Sequence, residues 1–368
     1  MLAVMLGSGH DRLRWPLEDE DVEGRLFDGP GADRHVGCGE YRGLEFLHVN
    51  ARTIINGVPP SSRMSFRYTI NAYRGCSHAC TYCFARPTHE FLGLGVGEDF
   101  ERRIVIKVNA VELARAELSS PRWGGDLIAM GTNTDPYQPA EGKYHLTQGI
   151  IGALSERRNP FSILTKSTLV LRDLRPLAEA SRRTHVRVNL SIGTLDREVW
   201  RLTEPGTPPP LKRVEAVSRL NDAGVVCGVL VAPLLPGLSD SEEQVAEVVT
   251  ACRRAGAVSV TPLALHLRPG VREHYLSWLT TTRPDLMELY ERRFRGRSYQ
   301  PRAEQERLSD LVAKVMGVTG ERKASAARYH SEHASSGDER RTPRQPIAAA
   351  VGDGLVHQPT QLELFTGR

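Results

Sequence analysis

Short apolar runs alternate with amphipathic stretches along most of this chain, beginning near residue 68. The β-branched segments RYTINAYRG (67–75), DLIAMGT (126–132), FSILTKS (161–167), VRVNLSIGT (186–194), VVCGVLVAPL (225–234) and VSVTPLALHL (258–267) read as strands. Between them, 144–158, 171–183, 210–223 and 241–256 carry apolar residues at helical spacing, and the last two patterns run out at Gly224 and Gly256. Six strand–helix repeats with near-continuous apolar strands predict a parallel sheet. Six units instead of eight predict an α/β fold of the incomplete kind, a partial (β/α)6 TIM-like barrel over 68–270. Residues 1–67 read as an irregular N-terminal extension and 271–319 as a C-terminal helical cover. From 320 to 368 the chain loses apolar periodicity and fills with Ser, Arg, Pro and Ala, which predicts disorder.

Composition narrows the class without choosing a function. The 368 residues are 40% hydrophobic, enough for a sizeable core, and carry a formal net charge of +4. Only six of the 48 basic residues are lysine; arginine suits bidentate phosphate contacts, so a nucleic-acid partner is compatible with this charge. The opening MLAVML is too short for a signal-peptide core, and the longest apolar run, VVCGVLVAPLLPGL, is broken by prolines and too short to span a bilayer. Six cysteines in so long a chain do not make a disulfide scaffold, so the expectation is a cytoplasmic protein in a reducing compartment.

Chemistry concentrates in YRGCSHACTYCFARPTH, where Cys76, Cys80 and Cys83 stand at Cys-x3-Cys-x2-Cys spacing directly after the first predicted strand. In β/α architectures that first loop lies on the face where catalysis gathers. Thiolates favour zinc or iron–sulfur clusters, and a structural zinc site takes four ligands. Cys38, Cys227 and Cys252 stand alone in the sequence, whereas His78 and His89 lie near enough to complete a Cys3His zinc site. The other reading is a [4Fe–4S] cluster with three protein ligands and one iron left open for a small molecule.

The spacing, with aromatic Tyr82 just before the third cysteine, resembles the motif of the radical S-adenosylmethionine (SAM) superfamily. RYTINAYRGCSHACTYCFARPTHEF, TDPYQPAE, LTEPGTPPPLKRVEAVSRLNDAG and VAPLLPGLSD together are similar to its spore photoproduct lyase-like branch, the DNA repair photolyase-like proteins, and most to actinobacterial members. The likeness spans roughly residues 50–300. It implies a partial barrel of the radical SAM type and a [4Fe–4S] cluster on Cys76, Cys80 and Cys83. It also implies SAM on the open iron, and one-electron cleavage to a 5′-deoxyadenosyl radical. Carried onto this sequence, the SAM-binding candidates are Tyr82, Gly131 and Thr132 after strand two, Asn189 and Ser191 on strand four, and the backbone of Val231 and Pro233 on strand five. Lys166 could neutralise the SAM carboxylate, and Asp135 is the carboxylate of most interest, against an ordinary Asx turn.

In spore photoproduct lyase a cysteine after the second strand returns the hydrogen atom; here that stretch, GTNTDPYQPAE, has none, which leaves Tyr137 as a substitute donor. A lesion in DNA is the expected substrate, with RNA or a peptide as the alternative, and flavodoxin or ferredoxin as the expected electron donor. The C-terminal Gln361-Leu362-Glu363-Leu364-Phe365 resembles the bacterial sliding-clamp-binding pentapeptide, in which Leu364 and Phe365 would fill an apolar pocket. A reading of another class remains: a metal-bearing, clamp-binding adaptor on DNA without catalysis.

Overall fold

The computed structural model describes residues 33–59 and 64–317. In chain order its strands are β1 (Asp33–Val36), β2 (Glu45–Val49), β3 (Ile55–Gly57), β4 (Tyr68–Ile70), β5 (Tyr73–Arg74), β6 (Arg103–Lys107), β7 (Ile128–Met130), β8 (Phe161–Thr165), β9 (Val186–Ser191), β10 (Val226–Leu234) and β11 (Val260–Ala264). β4, β7, β8, β9, β10 and β11 lie side by side in that order, all parallel, and β3 adds antiparallel to β4 at one edge. These answer to the six predicted strands, except that the first, 67–75, divides: Tyr68–Ile70 is β4 here, and Tyr73–Arg74 is β5, which pairs with β6 instead. The sheet order runs from β3 to β11 without joining end to end, so the arrangement is the open, partial barrel expected.

Alternation within the strands explains how one sheet can be both core and cavity wall. Phe161 and Ile163, then Val186, Val188 and Leu190, then Cys227, Val229 and Val231 point to one side and are buried in the main core. Helices Leu146–Glu156, Leu174–Ser181, Pro210–Asp222 and Glu242–Arg254 cover that side with Ile150, Leu154, Leu177, Val217, Leu220, Val245 and Val249. Facing the other way, Leu164, Asn189 and Gly228 sit in one register row, and Leu164 and Asn189 are only half-buried. Near-continuous apolar strands were the expectation; β9 instead reads Val-Arg-Val-Asn-Leu-Ser, because its second face is not covered by helices.

A second sheet departs from the sequence reading. β1, β2, β6 and β5 pair in that order, antiparallel except for parallel β2 and β6. Part of the predicted irregular extension is thus regular structure, and the chain between β4 and β7 makes a long excursion carrying the cysteines, β6 and helix Ala110–Leu118. After β11 come helices Val271–Thr282, Met287–Phe294 and Arg302–Met316. The first two build a second core from Leu265, Leu267, Tyr275, Leu279, Tyr290 and Phe294, against which Cys80 and Tyr82 pack. The predicted disordered tail, with its pentapeptide at 361–365, lies outside the described residues. Among those described, no helix is long and apolar enough to cross a membrane.

Leu190 is fully buried where β9 meets β8 and β10. Leu190→Ala is expected to lower unfolding free energy by about 2–5 kcal/mol, read by denaturant titration of the full chain.

Candidate functional site

The cysteine loop is tied down from several directions before any cofactor is considered. Cys76 N–H donates to Phe100 O (2.9 Å), Ala79 N–H to Cys76 O (3.2 Å) and Cys83 N–H to Cys80 O (3.2 Å), which curls the loop into two successive turns. Thr81 N–H reaches Thr203 O (3.0 Å) and Gly206 N–H reaches His78 O (3.0 Å). Gly206 has to be glycine, since a Cβ there would stand 2.2 Å from Ser77 O. Arg86, fully buried, grips the loop from beneath through Cys80 O. Cys76 and Cys80 are buried and Cys83 partly exposed.

The segment after β7 supplies the next wall. Gly131 adopts φ +92°, and a Cβ at that position would lie 2.0 Å from Leu164 O, so only glycine lets the chain leave β7 against β8. Asn71 receives Asn133 N–H (3.0 Å) and exchanges hydrogen bonds with Thr132. Gln138 donates to Gly75 O (2.9 Å) and accepts from Ser77 N–H (3.2 Å), fastening this segment to the cysteine loop. Asp135 goes further. One carboxylate oxygen accepts from Tyr137 N–H (2.9 Å), closing an Asx turn, and from Thr165 Oγ1 (2.6 Å); the other accepts from Lys166 N–H (2.7 Å) and faces His78 Nδ1 at 3.3 Å. Burial would raise this carboxyl, but His78 and these donors together hold it below the ordinary aspartate value.

Beside the loop lies a cluster of buried charge. Lys166 uses three protons on three acceptors: Ser191 Oγ (2.8 Å), Glu204 Oε1 (3.1 Å) and Ala232 O (3.1 Å). Its ammonium also stands 5.5 Å from the Tyr82 ring centroid. Glu204 accepts from the Tyr82 hydroxyl and pairs with Arg213. Burial pushes Glu204 up, yet the Arg213 and Lys166 cations outweigh it and bring its pKa to about 2. The ends of β8, β9 and β10 thus meet behind Cys80, with an anion held between two cations.

The family model of the radical SAM superfamily, a description that fits this loop and sheet, matches residues 70–249. The chain belongs to the radical SAM superfamily. An uncharacterised protein of Mycobacterium tuberculosis is 40% identical over 361 residues, covering 96% of this chain and 100% of the relative. One from Methanocaldococcus jannaschii is 30% identical over 204 residues, covering 55% of this chain and 73% of its own. Among solved structures, spore photoproduct lyase complexed with dinucleoside spore photoproduct shares the fold at a TM-score of 0.53 and 19% identity, over 74% of this chain and 78% of that one. Another structure of that lyase carries bound AdoMet.

A radical SAM enzyme uses a [4Fe–4S] cluster and SAM, and the donor set here is consistent with that cluster. Burial drives the Cys76 thiol well up, and Asp135, Cys83 and Cys80 push it further; burial likewise raises Cys80 and Cys83. Three such thiols become thiolates where a positively charged metal core stands among them. The Cys3His zinc alternative finds no assembled ligand set among the described residues, and one ring nitrogen of each histidine is already engaged. His78 Nδ1 faces Asp135, and His89 Nε2 lies 3.0 Å from Arg103 O with its ring against Phe100. Among the described residues, no three His, Cys, Asp or Glu groups converge as a single ion requires. A cubane places a different iron behind each thiol and needs no such convergence. Cys227 and Cys252 are packed in the main core, and Cys38 is exposed.

Of the other residues singled out from sequence, Tyr82, Lys166 and Ser191 come together beside the loop, where Lys166 and Ser191 bond the carbonyl of Ala232, the residue between the expected Val231 and Pro233; Thr132 and Asp135 join through Asn71 and His78, with Gly131 beside Thr132. Asn189 lies lower on the open face, where its Oδ1 is 3.4 Å from Arg187 Nε. Val231 sends its side chain into the helix-covered core, leaving only backbone to the rim. Tyr137 is fully buried in the main core, away from the loop, where burial and the Asp173 and Glu141 carboxylates push its phenol well up. Sequence reading passed over Glu204, Arg213, Gln138 and Arg86. The signal for the first two was a Glu-Pro-Gly turn in LTEPGTPPPLKR, an unusual site for a structural carboxylate.

Removing Glu204 leaves two cations buried beside each other. Glu204→Gln is expected to destabilise the protein by about 3–5 kcal/mol at neutral pH. Because the folded-state pKa of about 2 lies below the unfolded value of 4.5, the wild-type carboxylate favours folding above pH 4.5 and loses that contribution as pH falls toward 2. Chemical denaturation between pH 7 and pH 3 should show a steeper acid loss for wild type than for Glu204→Gln.

Proposed function

We propose that Cys76, Cys80 and Cys83 hold three irons of a [4Fe–4S] cluster and that this enzyme acts on a lesion in DNA. The observation that carries the reading is the junction of the cysteine loop with a polar rim: Asn71–Thr132, His78–Asp135, Lys166–Ser191 and Tyr82–Glu204 all meet at the carboxyl ends of the parallel strands. Held by Cys76, Cys80 and Cys83, with one iron free for SAM, such a cluster would supply the one-electron reductive cleavage of SAM.

The chain's own residues do the rest. Lys166 and Ser191 offer a cation and a hydroxyl where the SAM carboxylate would lie, and Lys166 must give up one of its three acceptors to take it. Gly131 and Thr132 would offer backbone and hydroxyl to the SAM amino group, and the backbone of Val231 and Pro233 would meet the adenine. Tyr82 and Glu204 keep the loop from swinging away. The half-buried face with Leu164 and Asn189 is where substrate would sit.

Support for a DNA lesion comes from the shared fold with a lyase whose bound ligand is a dinucleoside photoproduct, and from the arginine-rich composition. The absence of a cysteine in GTNTDPYQPAE and the burial of Tyr137 point to a hydrogen donor other than either. Gln361, Leu362, Leu364 and Phe365, read as a clamp-binding peptide, would bring the enzyme to replicating DNA. A small acidic flavoprotein or ferredoxin would supply the electron.

Anaerobic reconstitution should load on the order of four irons per chain and, with dithionite and SAM, release 5′-deoxyadenosine. Cys80→Ala is expected to abolish that release; release at the wild-type rate would refute the assignment. Leu364→Ala with Phe365→Ala should weaken binding of the full chain to a bacterial sliding clamp at least tenfold in a surface-plasmon titration, and unchanged affinity would remove the clamp from the account.

A further inference from the structure

Directly beneath the cysteine loop lies an ion pair whose two members are unequally exposed. Arg86 has no exposed surface, whereas the Glu101 side chain is 28% exposed. The guanidinium spends nearly all its donors on backbone: Nε to Cys80 O (3.2 Å), Nη2 to Cys80 O (2.9 Å), and Nη1 to Val96 O (2.9 Å) and Gly97 O (3.2 Å). Its one anionic partner is Glu101, bonded through Nη2. The Arg86 backbone N–H reaches Cys83 O (3.3 Å), so the chain winds around its own guanidinium between the second and third cysteines. On the remaining side the guanidinium stands 5.3 Å from the Phe100 ring centroid, and Phe100 packs with Cys76 and Ala85, with Cys83 against them.

The asymmetry matters for electrostatics. Water screens Glu101 at the edge of the protein, while Arg86, with no exposed surface, is bonded to the Cys80 carbonyl and lies over Phe100, which packs with Cys76 and Cys83. The pair therefore does not cancel as seen from the loop, and it adds a positive contribution to the field there, beside those of Lys166, Arg213, Glu204 and Asp135. Hydrogen bonding from Arg86 to the Cys80 carbonyl points the donor dipoles the same way.

We propose that Arg86 and Glu101 form a charge couple that sets how readily the cluster accepts its electron. Arg86 favours the reduced, more negative state and Glu101 opposes it. Both are positioning residues: neither touches substrate or the reacting atoms. This inference rests on the cluster assignment above. The step concerned is a one-electron reduction, with the electron taken from the external reductant and no bond made or broken in the protein.

The test is an anaerobic potentiometric titration of the reconstituted full chain with dithionite, followed by the electron paramagnetic resonance of the reduced cluster. Glu101→Gln, at a partly exposed position, is expected to raise the reduced-to-oxidised ratio at a fixed potential about threefold. Arg86→Gln should lower it about tenfold, which is 59 mV for a one-electron couple. Arg86→Lys, which keeps the charge, should stay within threefold of wild type. A merely structural role would not give shifts of opposite sign from the two neutralised partners. If Arg86→Gln does not retain the cluster, Glu101→Gln decides alone: a raised ratio supports the couple, and an unchanged or lowered ratio overturns it. If wild type forms no [4Fe–4S] species, the cluster assignment fails and takes this inference with it. A cluster that forms but whose potential ignores both residues defeats only the couple.

Discussion

The contact between Asp135 and His78 holds the site together. It joins the loop that carries the cysteines to the segment that leaves β7, and through Thr165 and the Lys166 amide it reaches the end of β8. A carboxylate has about four lone-pair sites, and here four donors use them. None of the four is dispensable without leaving a largely buried charge short of a partner, so the loop inherits the rigidity of the sheet. A metal loop made only of turns would not have that stiffness.

A second constraint is the confinement of charge beside the thiols. Lys166, Glu204 and Arg213 form an alternating cluster reached by strands β8 and β9, helix Arg197–Thr203 and helix Pro210–Asp222. Such clusters contribute little net stability compared with an apolar core of the same volume, but they are costly to break, and they fix one geometry. Tyr82 is fixed by Glu204 and packed under Lys166, which is why an aromatic adjoining the third cysteine can be both a spacer and a lever on the loop.

Local pattern carried the reading of the barrel a long way. Each of the six parallel strands announced itself by a β-branched run, and the amphipathic segments 210–223 and 241–256 became helices within a residue or two of their expected ends. The small sheet escaped because β1 and β5 are four and two residues long, and because β6, which joins β2 to β5, lies about thirty residues or more from each. Helix Ala110–Leu118 lay in a stretch dominated by the cysteine motif and went unassigned. In the site, fixed spacing brought out the three cysteines, since they stand within eight residues of one another. Glu204 offered only the local signal of its Glu-Pro-Gly turn, because its partners are remote: it meets Tyr82 across 122 residues, and Gln138 meets Ser77 across 61. No window on the sequence spans such pairs, and Tyr137, drawn from a loop, turned out to be a core residue because its neighbours Pro136 and Gln138 face the other groups.

The second core has an implication for how the protein is made. Cys80 and Tyr82 are packed against side chains as distant as Tyr290 and Phe294, more than two hundred positions later in synthesis. A nascent chain that has exposed its cysteines therefore still lacks the wall behind them, and its thiols are open to oxidants and stray ions. A cofactor seated on this loop would gain its full enclosure only after translation has passed the helix Met287–Phe294.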